Sequence, residues 1–114
     1  MDQTTKLNQL RRLVLQVLEM HARMPIEPAH LSSRVSQDLL NETYRLIDRD
    51  PRENGGMDHI VVELRLLGGK VLVLNDGIEY GIAEDLLEAG IPAEDIVEDF
   101  EELPSFKYAE ALAA

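Results

Sequence analysis

The sequence predicts a single α+β domain spanning residues 1–114, with an N-terminal helix and short C-terminal helices packed on an antiparallel β-sheet that contains a 58–75 hairpin. Three observations carry this expectation. The first 24 residues repeat apolar side chains at helical spacing, the middle of the chain switches to a two-residue alternation, and the last third holds short helical patterns closed by glycine and proline. A chain of 114 residues with 45% hydrophobic content supplies one ordinary core.

Over residues 5–24, Leu7, Leu10, Val14, Val17, His21 and Met24 follow a 3-4-3-4-3 spacing, and Leu13, Leu18 and Met20 widen the stripe. Pro25 stops the helix because it has no N–H to donate into a further turn. The heptad-like pattern is too short for a free coiled coil, so the stripe is expected to pack on a sheet, with a homo-oligomer contact as the other use of the same face. After the connection through residues 25–33, the stretch 34–50 is expected to form one or two strands, with apolar content from Val35, Leu39, Tyr44, Leu46 and Ile47. "PRENGG" at 51–56 is a turn.

In "DHIVVELRLL", Ile60, Val62, Leu64 and Leu66 are expected on one face, with Val61, Glu63 and Arg65 on the other. Gly68-Gly69 turns the chain, and "KVLVLND" returns as the second strand. Asp76-Gly77 then aims the chain into a helix over 79–89, whose inward side is Ile82, Leu86 and Ala89. Gly90 is expected in the left-handed region as the C-cap, with Ile91 as the hydrophobic residue that follows a Schellman ending. Pro92 opens a second helical turn in "PAEDIVEDF", with Ile96, Val97 and Phe100 facing inward and acids filling the solvent side.

Charge is distributed unevenly. The net charge is −11, from 22 acidic and 11 basic residues, and eleven of the acids fall between Lys70 and Lys107, where there is no basic residue. Duplex DNA binding draws its affinity from basic side chains set against phosphates, and the one dense basic pair here is Arg11-Arg12. The protein alone is therefore not expected to bind duplex DNA. The acidic third is either a solubilising surface or a docking face for a basic protein partner, and in the second case its groups are Glu94, Asp95, Glu98, Asp99, Glu101 and Glu102.

Catalytic signatures are weak. Without cysteine there is no disulfide, thiolate or sulfur-ligated metal. His21, His30 and His59 fall in no metal-binding spacing, and His21 lies on the buried helix stripe as a core histidine. Asp58-His59, the Asp48/Asp50 pair and Asp76 with Glu79 are each explained by strand ends and turns. No catalytic, cofactor-binding or metal residue is assigned, and no cofactor is expected. A metal-dependent hydrolase and an acidic nucleic-acid mimic that inhibits a nuclease are the alternatives. No apolar run reaches membrane-spanning length and no signal-peptide pattern is recognised, so the expected location is cytoplasmic.

The order of residues in "GGKVLVLNDGIEYGIAEDLLEAGIPAEDIVEDF", 68–100, resembles the XisI-like family, the excision controlling factors of the fdxN element in cyanobacteria. Lys70, Asp76-Gly77, Gly81-Ile82-Ala83, Ala89-Gly90-Ile91-Pro92, Glu94-Asp95-Ile96-Val97 and Phe100 match the family's pattern, and Lys107-Tyr108 matches a later basic-aromatic pair. Asp76, Gly77, Gly81, Gly90 and Pro92 are its structural motif. "EELPSF" at 101–106 departs from the family, which carries a His-Pro-Pro-Glu and an Arg there. The resemblance implies a non-enzymatic accessory or regulatory factor for DNA rearrangement. It also implies a protein partner, either an XisH-like protein, itself similar to nucleases, or a recombinase.

Overall fold

The computed structural model describes residues 3–26 and 29–98. Helix α1 (Gln3–Arg23) leads into a meander of four antiparallel strands, β1 (Ser32–Asp38), β2 (Thr43–Asp50), β3 (Met57–Leu67) and β4 (Lys70–Asp76). Helix α2 (Ile82–Glu88) and a 3-10 turn (Ala93–Asp95) follow, and β5 (Ile96–Val97) then adds in parallel to β4, giving the order β1-β2-β3-β4-β5. The expected α+β architecture is the observed one; the second C-terminal helical turn is the short 3-10 turn, and a parallel edge strand follows it.

The core lies on one face of the sheet. From α1 it takes Leu10, Leu13, Val14, Val17 and Leu18, and from the strands Tyr44, Leu46, Val62, Leu64, Leu66, Val71 and Val73. Ile82, Leu86 and Ile91 close it from the C-terminal side. Full burial of side chains of this size contributes on the order of 1.5–3 kcal/mol each, so this face carries most of the stability. Met20 and Met24, expected on the stripe, are 40% and 46% exposed. Met24 lies past the helix end, and Met20 is on the outer flank of α1.

The hairpin turns through Gly68 and Gly69 with φ of 59° and 76°, a pair of left-handed residues suited to a two-residue connection between twisted strands. The alternation does not hold along the whole of β3. Leu46 pairs with Val62 and Ile47 with Ile60, which leaves Val61 as an extra residue in a β-bulge. The bulge reverses facing on its far side. Ile60, expected with Val62 on the buried face, is 48% exposed, and Val61 packs against the core instead. Leu39, counted above among the apolar content of the strands, is in the β1–β2 turn and is 59% exposed.

Candidate functional site

The acidic segment begins at Asp76, whose carboxylate caps the following structure. Oδ1 accepts from the Ile78 N–H and Oδ2 from the Ile82 N–H, both at 3.0 Å. The second bond satisfies an amide that the first turn of α2 leaves free. Gly77 donates to the Val61 carbonyl at 2.7 Å, and a Cβ there would stand 2.9 Å from the same oxygen. This close approach, on the strand bulge, is the physical reason for Asp-Gly. Gly81 then takes φ 93° as the residue before α2, so the helix starts at Ile82 rather than at 79.

Helix α2 ends as the sequence predicts. Gly90 has φ 109°, the Ile91 N–H donates to the Leu86 carbonyl and the Gly90 N–H to the Leu87 carbonyl. These are the two bonds of a Schellman motif, and Leu86 and Ile91 meet in the core. Pro92 is extended and precedes the 3-10 turn, and Ile96 and Val97 then take β5 geometry. The helical turn that the sequence predicts after Pro92 is present but ends at Asp95, because pairing with Val71 and Leu72 draws Ile96 and Val97 into the sheet.

Two carboxylates of the segment turn inward to α1. Asp85 accepts from His21 Nε2 at 2.6 Å and from the Tyr80 hydroxyl at 2.6 Å, and the His21 and Asp85 side chains are 8% and 10% exposed. The hydrogen bond to Asp85 pushes the Tyr80 phenol up to about 12. His21 is thus a partnered histidine on the inner side of α1. Asp85 borders an open groove of about 690 Å³ between α1 and α2, with Arg12, Gln16, Met20 and Glu88 among its walls.

Asp95 is 6% exposed. Lys6 Nζ lies 3.1 Å from Oδ2 and Lys70 Nζ 3.3 Å from Oδ1, and Lys70 also donates to the Glu94 carbonyl at 3.0 Å. Burial by itself raises the Asp95 pKa, but hydrogen bonds from Lys6 and Lys70 outweigh it and hold the carboxyl below its ordinary value. This corrects the expectation that Asp95 faces solvent as a docking acid. It clamps α1, β4 and the 3-10 turn together.

The remaining acids of the described segment, Glu79, Glu84, Glu88, Glu94 and Glu98, are exposed and make no ion pair among the described residues. Of the predicted docking set, Glu94 and Glu98 are therefore on the surface. Asp99, Glu101 and Glu102 lie outside the described residues, as do Phe100 and Lys107-Tyr108 of the family pattern. A third network, which no spacing in the sequence marks, joins α1 to β2: Arg11 donates to Tyr44 Oη at 2.9 Å and to Glu42, while Tyr44 donates to Glu42 Oε2 at 2.6 Å. Tyr44 is fully buried; burial and then the Glu42 bond raise its pKa, so it stays neutral. Among the described residues no three His, Asp or Glu side chains converge on a metal position, and no helix is long and apolar enough to cross a membrane.

The helix, meander and Asp-Gly to β5 corner can be set beside known proteins. A family model described as XisI protein matches residues 1–111. The chain belongs to the XisI family. Two solved structures from Anabaena variabilis share the fold. The fdxN element excision controlling factor XisI has a TM-score of 0.65 at 21% identity, over 85% of this chain and 88% of that one. A XisI-like protein has a TM-score of 0.70 at 21% identity, over 81% and 84%. No curated protein matches the chain.

Proposed function

We propose that this XisI-family chain is a non-enzymatic accessory factor in the control of DNA-element excision, acting by docking an acidic corner onto a basic protein partner. One observation carries the reading. Glu79, Glu84, Glu88, Glu94 and Glu98 stand exposed, with no ion pair among the described residues, in a stretch, 71–106, whose sequence has eleven acids and no basic residue, while Asp76, Asp85 and Asp95 bond to other parts of the chain. The internal acids fix the corner. The outer ones set up a one-sign field that speeds encounter with a positive surface. The similarity to a protein described as an excision controlling factor supplies the biological setting, and an XisH-like protein or a recombinase is the partner class it suggests. A metal-dependent hydrolase is not proposed, since the described carboxylates and histidines close on one another in pairs rather than on a shared point.

The test is affinity capture of the partner at low and moderate salt with wild-type chain and with Glu84, Glu88, Glu94 and Glu98 all changed to Gln. Capture should fall with rising salt and fall again in the variant, with the fold intact. Capture that ignores both changes would move the interface elsewhere and leave the acids a solubilising role. In parallel, the purified protein should leave duplex DNA unshifted at about 150 mM salt, where retention needs several phosphate contacts.

A further inference from the structure

Asp85 does more than tie α2 to α1. Both of its side-chain bonds, from His21 Nε2 and from the Tyr80 hydroxyl, arrive at Oδ2. Among the described residues no donor reaches Oδ1. The side chain is nine-tenths buried, and the part still accessible opens into the groove that Asp85 borders. A carboxylate in that position has lost most of its water, so an oxygen without a donor is unfavourable until one arrives.

The walls of the groove are suited to receive such a donor. Glu88 follows Asp85 at i+3 on α2, so the two carboxylates stand side by side on one wall. Met20, which is 40% exposed, and Ala89 supply apolar surface between the helices. On the α1 wall Arg23 is occupied by Glu19, which leaves that wall the charge of Arg12. Arg12 pairs with neither Asp85 nor Glu88 among the described residues. The walls thus differ in sign, acid on α2 and base on α1. The volume of about 690 Å³ is within the range of ligand clefts.

A long side chain with an apolar stem and a cationic end matches this arrangement. A guanidinium fits it better than an ammonium. Its planar fork presents separate N–H groups to two carboxylates at once, and its weaker hydration makes placement beside a nearly buried acid less unfavourable. The other exposed acids of the corner attract a partner from a distance, but water screens each pair they form. Asp85 is shielded from that screening.

We infer that the groove between α1 and α2 is the anchor pocket of the acidic corner. It takes one arginine side chain of the basic partner, with the guanidinium on Asp85 Oδ1 and Glu88 and the stem against Met20 and Ala89. This role rests on the docking reading above and narrows it: the exposed acids steer the partner in, and the groove selects which basic residue is held.

The probe is Nα-acetyl-arginine methylamide, titrated at low salt into the isotope-labelled full-length protein and followed by NMR, with the citrulline and lysine analogues alongside. Saturable shifts are expected in the amides of Asp85, Glu88 and Ala89. The His21 ring should move on the same curve, because its Nε2 shares the Asp85 carboxylate. The uncharged citrulline analogue should not bind, and the lysine analogue should bind several-fold more weakly. Glu88→Gln leaves the bond between His21 and Asp85 in place, and Met20→Arg puts a guanidinium into the groove from α1. Each should weaken binding of the arginine derivative about ten-fold, whereas Glu98→Gln should not. No saturation up to about 50 mM, shifts spread evenly over the exposed acids, or equal binding of the citrulline analogue would overturn the pocket. Equal binding of the lysine analogue would overturn the choice of a guanidinium. Partner capture that still falls with salt while the groove stays silent keeps the docking face and removes the pocket. Capture that ignores salt removes the docking face, whatever the groove binds.

Discussion

In the β1–β3 ladder nearly every acid has a basic or hydroxyl neighbour on an adjacent strand, whereas in the corner from Asp76 to Glu98 no basic residue is close in sequence. Asp58 sits between Arg34 and Arg49, Glu63 beside Arg45, and Asp48 receives the Ser33 hydroxyl. These contacts are local to the sheet and wet. At the corner, Asp85 and Asp95 reach instead to His21 and Lys6 on α1, and they do so nearly buried. The lesson is that charge neutralisation and structural anchoring are separate tasks. The ladder balances its charges where they arise. The corner spends a few acids on tethers to another element and leaves the others uncompensated at the surface.

The sharpest way to test the corner is Gly77→Val. A Cβ at 2.9 Å from the Val61 carbonyl and 3.4 Å from its Cγ1 must displace either the β3 bulge or the chain entering α2. Crowding backbone in this way costs about 2–3 kcal/mol. A fall of that size in the urea midpoint at constant slope is expected. An unchanged midpoint would show that the corner is not held against β3.

Next comes Asp95→Asn, which weakens both lysine contacts of a carboxylate whose side chain is 9% exposed. The lysines are about 40% exposed, so water screens part of the gain, and a loss of about 1–2 kcal/mol at neutral pH is expected. The Asp95 pKa is lower folded than unfolded. Its stabilisation is therefore complete above the unfolded value of about 3.9 and is lost as pH falls through the folded one. Melting curves of wild type and Asp95→Asn should stay apart at neutral pH and converge below about pH 4.

Gly90→Val is smaller again, at about 1–2 kcal/mol, because the side chain meets open space and the cost is the left-handed backbone alone. Gly90→Ala should recover part of it. A thermal melt of the three chains measures both steps.

Legibility in the sequence followed the range of each interaction. The α1 stripe from Leu7 to His21, the Gly68-Gly69 turn and the Gly90 ending are set within a few residues and are present as expected, Met20 and Met24 at the end of the stripe excepted. Ile60 was misplaced because nothing in "DHIVVELRLL" marks the bulge; it follows from pairing with β2 and from the Gly77 and Asn75 contacts to the Val61 carbonyl. Asp95 was misplaced for the same kind of reason. A run of acids gives no sign that one of them will meet Lys6 from the far end of the chain. His21 was legible as an inner histidine, its partner Asp85 was not, and the exposed acids could be sorted from the internal ones by structure alone.

The smallest expected effect is in the ladder. Asp58 accepts hydrogen bonds from Arg34 at 2.9 Å and from Arg49 at 3.1 Å, and these two contacts hold its carboxyl below the ordinary value. The sign is the same as for Asp95, so any contribution would vanish as pH falls through the acid range. The size should differ. Asp58 and both arginines are 41–52% exposed, where water and salt screen the attraction and where fixing long side chains in one geometry offsets much of what is left. Asp58→Asn should therefore barely move the melting temperature, and raising the salt concentration should remove what shift there is, while the shift of Asp95→Asn persists. Equal shifts in the two variants, with equal sensitivity to salt, would break the distinction between a ladder that only balances charge and a corner that is tied down by it.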